Sequence, residues 1–176
     1  MSDARKGEVA MKGNPVELAG PKLKAGDHAP NFECVGEGLS IVTLAETPKK
    51  PRLFSVVPSL DTPVCNIQTK RFSKELAELG DSVEAYTVSL DLPFAMKRFC
   101  GAEGVSNIVN LSDVRNHSFG KNYGVLITSL PIPLLCRALF VVDAHGAITH
   151  VEYVSEIASE PNYDAALAAL KAAAKA

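Results

Sequence analysis

Four cysteines, Cys34, Cys65, Cys100 and Cys136, carry most of the reactive chemistry this chain could offer. A thiolate can be a nucleophile, a redox centre or a metal ligand, and its surroundings decide which. No two of the four lie in a C-x-x-C, and His28, His117, His145 and His150 show no paired ligand spacing, so nothing recommends a structural metal site. Cys65 has the most informative neighbourhood. In Asp61-Thr62-Pro63-Val64-Cys65, Thr62 suits an N-cap and Pro63 the first helical position, where a missing N–H does no harm. Cys65 then falls inside the first turn, whose backbone N–H groups lack intrahelical partners and, with the helix dipole, favour thiolate over thiol. The Thr62 hydroxyl can face the same small space, Pro58 shapes the loop around it, and a cation from elsewhere in the chain would complete the activation. The alternative is a small apolar residue that packs the first turn. The cap, the proline and the approach from a buried strand favour the nucleophile, because loops at the ends of central strands are where such folds put their chemistry.

The elements around this loop follow from the hydrophobic pattern. Residues 52–57, Arg52 to Val57, form a continuous apolar run beside prolines, as expected of a central strand buried on both faces. A helix over 63–79 follows, stopped by Gly80, with Cys65, Phe72, Leu76 and Leu79 on its buried stripe. Next come a strand over 83–90, a short helix over 93–100 ended by Gly101, a strand over 107–111 and a mixed region over 114–124. After the proline-broken loop 129–134, a hairpin over 137–153 leads to an alanine-rich helix from about Asn162. Ahead of all this, Val9 to Met11 and Val16 to Leu18 flank Lys12-Gly13-Asn14-Pro15 as a hairpin within residues 1–20, an addition to the main domain. The order β-α-β, then β-β-α, predicts an α/β class chain with a thioredoxin-like fold: a central mixed β-sheet flanked by helices, with an N-terminal β-hairpin. A flavodoxin-like parallel sheet also alternates strand and helix; the closing β-β-α tips the choice.

Composition limits the partners. The chain has 176 residues, 47% apolar and 22% charged, with 20 acidic and 18 basic side chains, which suits one domain over 1–176 with a sizeable core. Near-neutral charge without a long basic block gives little pull toward nucleic acid. No run reaches the roughly 20 apolar residues of a membrane span, and the polar N-terminus lacks a secretory core, so a cytoplasmic protein is expected. Four cysteines are too sparse for a disulfide-stapled scaffold.

The stretch Pro58-Ser59-Leu60-Asp61-Thr62-Pro63-Val64-Cys65 resembles the active-site loop of the peroxiredoxin family, P-x-x-x-T-x-x-C, and Arg137 ahead of Ala138-Leu139-Phe140-Val141-Val142 resembles that family's active-site arginine. Within the family the likeness is to the atypical two-cysteine class, bacterial thiol peroxidases. It extends to the N-terminal hairpin, to residues 92–104, reading L-P-F-A-M-K-R-F-C-G-A-E-G, and to the loop before Arg137, and so covers nearly the whole chain. The resemblance implies a peroxidase in which Cys65 is the peroxidatic thiolate, attacking a hydroperoxide to become a sulfenic acid. Arg137, the Thr62 hydroxyl and the helix N–H groups would hold the peroxide oxygens, with Pro58 shielding the site. Cys100 would resolve the sulfenic acid as an intramolecular disulfide, and thioredoxin or a similar dithiol protein would reduce it. No metal or organic cofactor is implied, and a homodimer is.

A disulfide requires α-carbons within about 7 Å, so two helical cysteines set further apart must open locally first. Such opening is expected, and the alternative for Cys100 is a buried packing thiol. Cys34 and Cys136 match no family position and are expected to be core or near-interface thiols, the histidines ordinary surface or loop residues, and the apolar loop Leu130 to Leu135 a partner surface or pocket wall. A disulfide oxidoreductase is disfavoured because Gln68 stands where C-x-x-C would place its second cysteine. A redox-silent binding module would have lost Cys65 or Arg137, and both are present.

Overall fold

Successive side chains of the buried strands face opposite ways and divide the core into two layers. The computed structural model describes residues 4–176, in chain order β1 (Arg5–Met11), β2 (Asn14–Ala19), β3 (Glu33–Val35), β4 (Ile41–Thr43), β5 (Arg52–Val56), α1 (Pro63–Leu76), β6 (Glu84–Ser89), α2 (Pro93–Glu103), β7 (Val109–Ser112), α3 (Ser118–Asn122), β8 (Leu126–Ile127), β9 (Leu134–Leu135), β10 (Ala138–Val142), β11 (Ile148–Tyr153) and α4 (Tyr163–Lys175). The main sheet has the order β11-β10-β5-β6-β7-β3-β4. Strands β5, β6 and β7 run parallel, and the remaining pairs antiparallel. Every residue of β5 is buried, as its unbroken apolar run requires.

Successive side chains on a strand face opposite ways, and the core follows that rule. Leu53, Leu139 and Val141 join Phe72 and Leu76 of α1 and Tyr163, Ala166, Leu167 and Leu170 of α4 in one apolar cluster. Phe54, Val56, Phe140 and Val142 join Phe119, Tyr123 and Leu18 in the other. A third, small cluster sits beyond the end of β5, where Val57, Leu60 and Cys65 meet Met96 and Phe99 of α2. This last cluster positions the loop and helix singled out by the sequence.

Several boundaries differ from expectation for identifiable reasons. The N-terminal hairpin is present, but it is not a free addition: β2 pairs with β8, and β8 with β9, in a second sheet ordered β1-β2-β8-β9. Strands of two residues are too short to show a period. Helix α1 ends at Leu76 instead of Leu79, and a separate 3₁₀ turn over Gly80–Ser82 follows. Helix α2 runs through Gly101 to Glu103 and stops where Gly104 takes the left-handed conformation (φ 68°), so Gly104 is the helix stop. The N–H groups of Gly104 and Val105 both donate to the Cys100 carbonyl, the arrangement that closes a helix end. Among the described residues, no helix is long and apolar enough to cross a membrane.

Gly20 ties the small sheet to the rest. It has φ +90°, and a Cβ there would meet the Lys121 carbonyl oxygen at 1.8 Å. Gly20→Ala is expected to lower the unfolding free energy by roughly 2 kcal/mol or more, through backbone strain and the forced shift of residue 121. Urea denaturation measures this directly, and a loss below ~0.5 kcal/mol, the size of an ordinary surface change, contradicts the packing described.

Candidate active site

The loop after β5 is held before it turns into α1. Val57 continues the parallel ladder, its N–H donating to the Val88 carbonyl at 3.0 Å, and Pro58 is buried directly behind it. The chain then turns through residues 59–62, and Thr62 enters the N-cap position with extended φ and ψ of −98° and 147°. Its hydroxyl makes no capping bond to the helix backbone. It lies instead 2.7 Å from the Cys65 Sγ and 2.9 Å from the Ser59 carbonyl oxygen. A hydroxyl has one proton and two lone pairs. With a Cys65 thiol, the S–H donates to the Thr62 oxygen while the hydroxyl donates to Ser59; with a thiolate, the hydroxyl proton turns to sulfur.

On the other side of the sulfur stands Arg137, placed immediately before β10. It is 1% exposed, and all three arms of its guanidinium are used. Nη2 donates toward the Cys65 Sγ at 3.3 Å, Nη1 to Gln68 Oε1 at 2.8 Å, and Nε to the Ile157 carbonyl at 2.9 Å. Among the described residues no carboxylate pairs with Arg137, so the sulfur is the partner able to carry the opposing charge. An unpaired buried charge costs several kcal/mol, which makes this pairing decisive for the site. The first i→i−4 bond of α1 runs from the Asn66 N–H to the Thr62 carbonyl at 3.1 Å, leaving the Val64 and Cys65 N–H groups without an acceptor in the helix.

The structure therefore brings Cys65, Thr62, Arg137 and Pro58 to one place, and adds residues that sequence reasoning did not assign to it. Gln68 is fully buried one turn beyond Cys65; besides accepting from Arg137, it donates through Nε2 to Ser55 Oγ at 2.7 Å. Its signal in the sequence is a long polar side chain at an i+3 position on the buried stripe. The Ile157 carbonyl has no side-chain signature at all. Thr69 is also buried, its hydroxyl donating to the Cys65 carbonyl at 2.9 Å.

Cys100 is not joined to Cys65; all four cysteines are free thiols. Both border the cluster of Val57, Leu60, Met96 and Phe99, but Cys100 opens into a separate groove of about 430 Å³ that Asn110, Gly36 and Lys97 also line. Asn110 Nδ2 donates to the Cys100 Sγ at 3.2 Å. Burial pushes the Cys100 thiol up from its ordinary value, and the Asn110 hydrogen bond opposes that shift.

The other two cysteines have different surroundings. Burial, followed by the negative charge of Asp113, pushes the Cys34 thiol far up, and its S–H donates to the Asp113 carboxylate at 3.7 Å. Burial alone dominates at Cys136, pushed up to about 12. Despite adjoining Arg137, Cys136 belongs to the apolar cluster of Phe54 and Phe140. His28 and His145 are exposed, whereas His117 and His150 are half-buried; burial pushes His150 down, and its Nε2 has no partner among the described residues. The loop before β9 is open to solvent, with Ile132 62% exposed.

Comparison with known proteins identifies the family of the chain. The Redoxin family model matches residues 24–167. A "Thiol peroxidase" of Halalkalibacterium halodurans is 52% identical over 165 residues, 94% of this chain and 98% of the relative. One of Streptococcus pneumoniae is 50% identical over 164 residues, covering 93% and 99%. Among solved structures, a peroxiredoxin-like protein from Aquifex aeolicus superposes with a TM-score of 0.88 at 40% identity, covering 97% of this chain and 98% of that one.

The contrast among the thiols can be read chemically. Iodoacetamide near neutral pH should modify Cys100, which is half-buried and borders an open groove, ahead of Cys34 and Cys136, whose sulfurs are fully buried in the apolar cluster of Phe54 and Phe140. Peptide mass mapping distinguishes the sites. Modification of Cys34 or Cys136 as fast as Cys100, without unfolding, contradicts the assignment.

Proposed function

The chain belongs to the redoxin family and is a peroxiredoxin of the thiol peroxidase kind, a thiol-dependent peroxidase acting on peroxides, and from that premise we propose which residues perform each step. Cys65 is the peroxidatic residue. Its thiolate attacks the terminal oxygen of a hydroperoxide; the S–O bond forms, the O–O bond breaks, and the electron pair leaves on the second oxygen, which takes a proton to become water or an alcohol. The observation that carries this reading is the buried guanidinium of Arg137, 3.3 Å from the sulfur and paired with no carboxylate among the described residues. As charge moves from sulfur to the leaving oxygen, Arg137 Nη2, the Thr62 hydroxyl and the free N–H groups of α1 follow it with hydrogen bonds already oriented. Pro58 keeps water from the sulfur.

Cys100 completes the turnover. Its thiolate attacks the Cys65 sulfenic acid, the S–S bond forms and the S–O bond breaks, and hydroxide leaves with the Cys100 proton as water. Helix α2 opens first. Cys100 sits one turn inside it, with its carbonyl holding the closing turn, so opening at Gly104 frees the residue and relieves the burial that keeps its thiol protonated. A dithiol protein, thioredoxin or one like it, then reduces the disulfide. These steps use thiols alone, with no metal or organic cofactor. A disulfide made and broken in each turnover suits a cytoplasmic antioxidant enzyme. We assign residues 1–176 to one domain and the working form to a homodimer, a reading supported by the exposed Ile67 near the start of α1 and Leu92 and Phe94 at the start of α2.

Mixing reduced protein with a stoichiometric hydroperoxide tests the assignment. Cys65→Ser should consume none, whereas Cys100→Ser should react once and retain a sulfenic acid detectable by mass. Unchanged peroxide consumption by Cys65→Ser overturns the role of Cys65, and a wild type lacking a Cys65–Cys100 link after reaction overturns that of Cys100.

A further inference from the structure

Between the end of β6 and the start of α2 lies one carboxylate that touches the segments bearing both reactive cysteines. Asp91 Oδ1 accepts from Ser59 Oγ at 2.8 Å, and Oδ2 accepts from the Leu60 N–H at 2.8 Å and from Ser89 Oγ at 2.8 Å. Its backbone is fixed as well: the N–H donates to Ser89 Oγ at 3.1 Å, and the carbonyl accepts from Ser112 Oγ at 2.6 Å. No lysine or arginine among the described residues pairs with it, so its charge is met by hydroxyl and amide donors alone.

Two consequences follow from that placement. The first concerns Cys65. Ser59 offers its carbonyl to the Thr62 N–H at 3.2 Å and to the Thr62 hydroxyl at 2.9 Å, the same hydroxyl that faces the Cys65 sulfur at 2.7 Å. Asp91 thus fixes the acceptor that competes with sulfur for the Thr62 proton. The second concerns Cys100. Leu92, the next residue, is the N-cap of α2 and has no side-chain capping bond, so the entry of that helix is anchored through Asp91.

We infer that Asp91 is a positioning residue that latches the Cys65 loop and the Cys100 helix together in the peroxide-reactive arrangement, and that release of this one carboxylate frees both segments for disulfide formation. This rests on the pairing of Cys65 with Cys100 given above. Under it, the two chemical steps place opposite demands on the same bonds: attack on peroxide needs the latch closed, and condensation with Cys100 needs it open. A residue important only for overall stability has no reason to move the two steps in opposite directions.

Stopped-flow measurements on the full chain separate the steps, giving the bimolecular rate with hydrogen peroxide and the following rate of sulfenic acid loss to disulfide. Asp91→Asn keeps the side chain's size but weakens its acceptance, and should slow the first step roughly tenfold while speeding the second several-fold. Ser59→Ala removes one latch bond and should shift both rates the same ways by smaller factors; it decides the matter alone if Asp91→Asn does not fold. Leu167→Ala, in α4 and remote from the latch, should lower global stability and leave the ratio of the two rates unchanged. Two rates unaffected by the latch variants, or moved in one direction together, overturn the latch, as does the opposed pattern in Leu167→Ala. If peroxide-treated wild type forms no Cys65–Cys100 disulfide, the pairing itself is overturned; if the disulfide forms at the wild-type rate in both latch variants, the latch alone fails.

Discussion

A guanidinium 1% exposed to solvent, facing a sulfur at 3.3 Å, sets the terms for the rest of this molecule. Arg137 gives up hydration and gains three fixed partners, two of them neutral oxygens and the third the Cys65 sulfur. The neutral oxygens hold the plane of the fork. Charge compensation is left to the sulfur, which the third arm of the fork faces directly. Lysine would supply the charge but not the planar fork that Gln68, Ile157 and Cys65 occupy together.

The sheet exists in the form needed to sustain that contact. Strands β5 and β10 are antiparallel neighbours, with Ala138 opposite Val56. The residue preceding β10 therefore lies beside the loop that leaves β5, and the two contributors to the site meet across one strand spacing. Gln68 bridges them from α1, accepting from Arg137 and donating to Ser55 of β5. Enclosure brings a conflict, however. The packing that orders the site leaves Cys65 fully buried and sets Cys100 in a separate groove, so under the proposed roles the finished fold opposes the joining of the two sulfurs. A short helix with a left-handed glycine at its end, anchored at its start by Asp91, is a local element that can open without dissolving the two main clusters.

Much of this was legible in the chain because its signals are local. The Thr62–Pro63 helix start, the apolar run of β5, the hairpin of β10 and β11 and the position of Cys65 each depend on a few adjacent residues. Arg137 was identified by resemblance, since nothing in its immediate neighbours says that the side chain turns inward. Gln68 and Asp91 were not assigned, because their roles come from partners distant in sequence: Arg137 for one, Ser59 and Leu60 for the other. The second sheet was hidden by strands of two residues. Helix α2 runs past the stop expected at Gly101 because a glycine can keep the helical backbone, and it is Gly104 that takes the positive φ.

The account turns on geometry as well as charge at residue 137, and Arg137→Lys separates the two. The decisive measurement is its second-order rate constant with hydrogen peroxide, beside the wild type under the same conditions. Loss of the fork should slow the reaction by roughly a hundredfold or more, although a cation remains. A variant that reacts within about twofold of wild type, a difference of ~0.4 kcal/mol in the barrier, contradicts the claim that the oriented guanidinium organises the site.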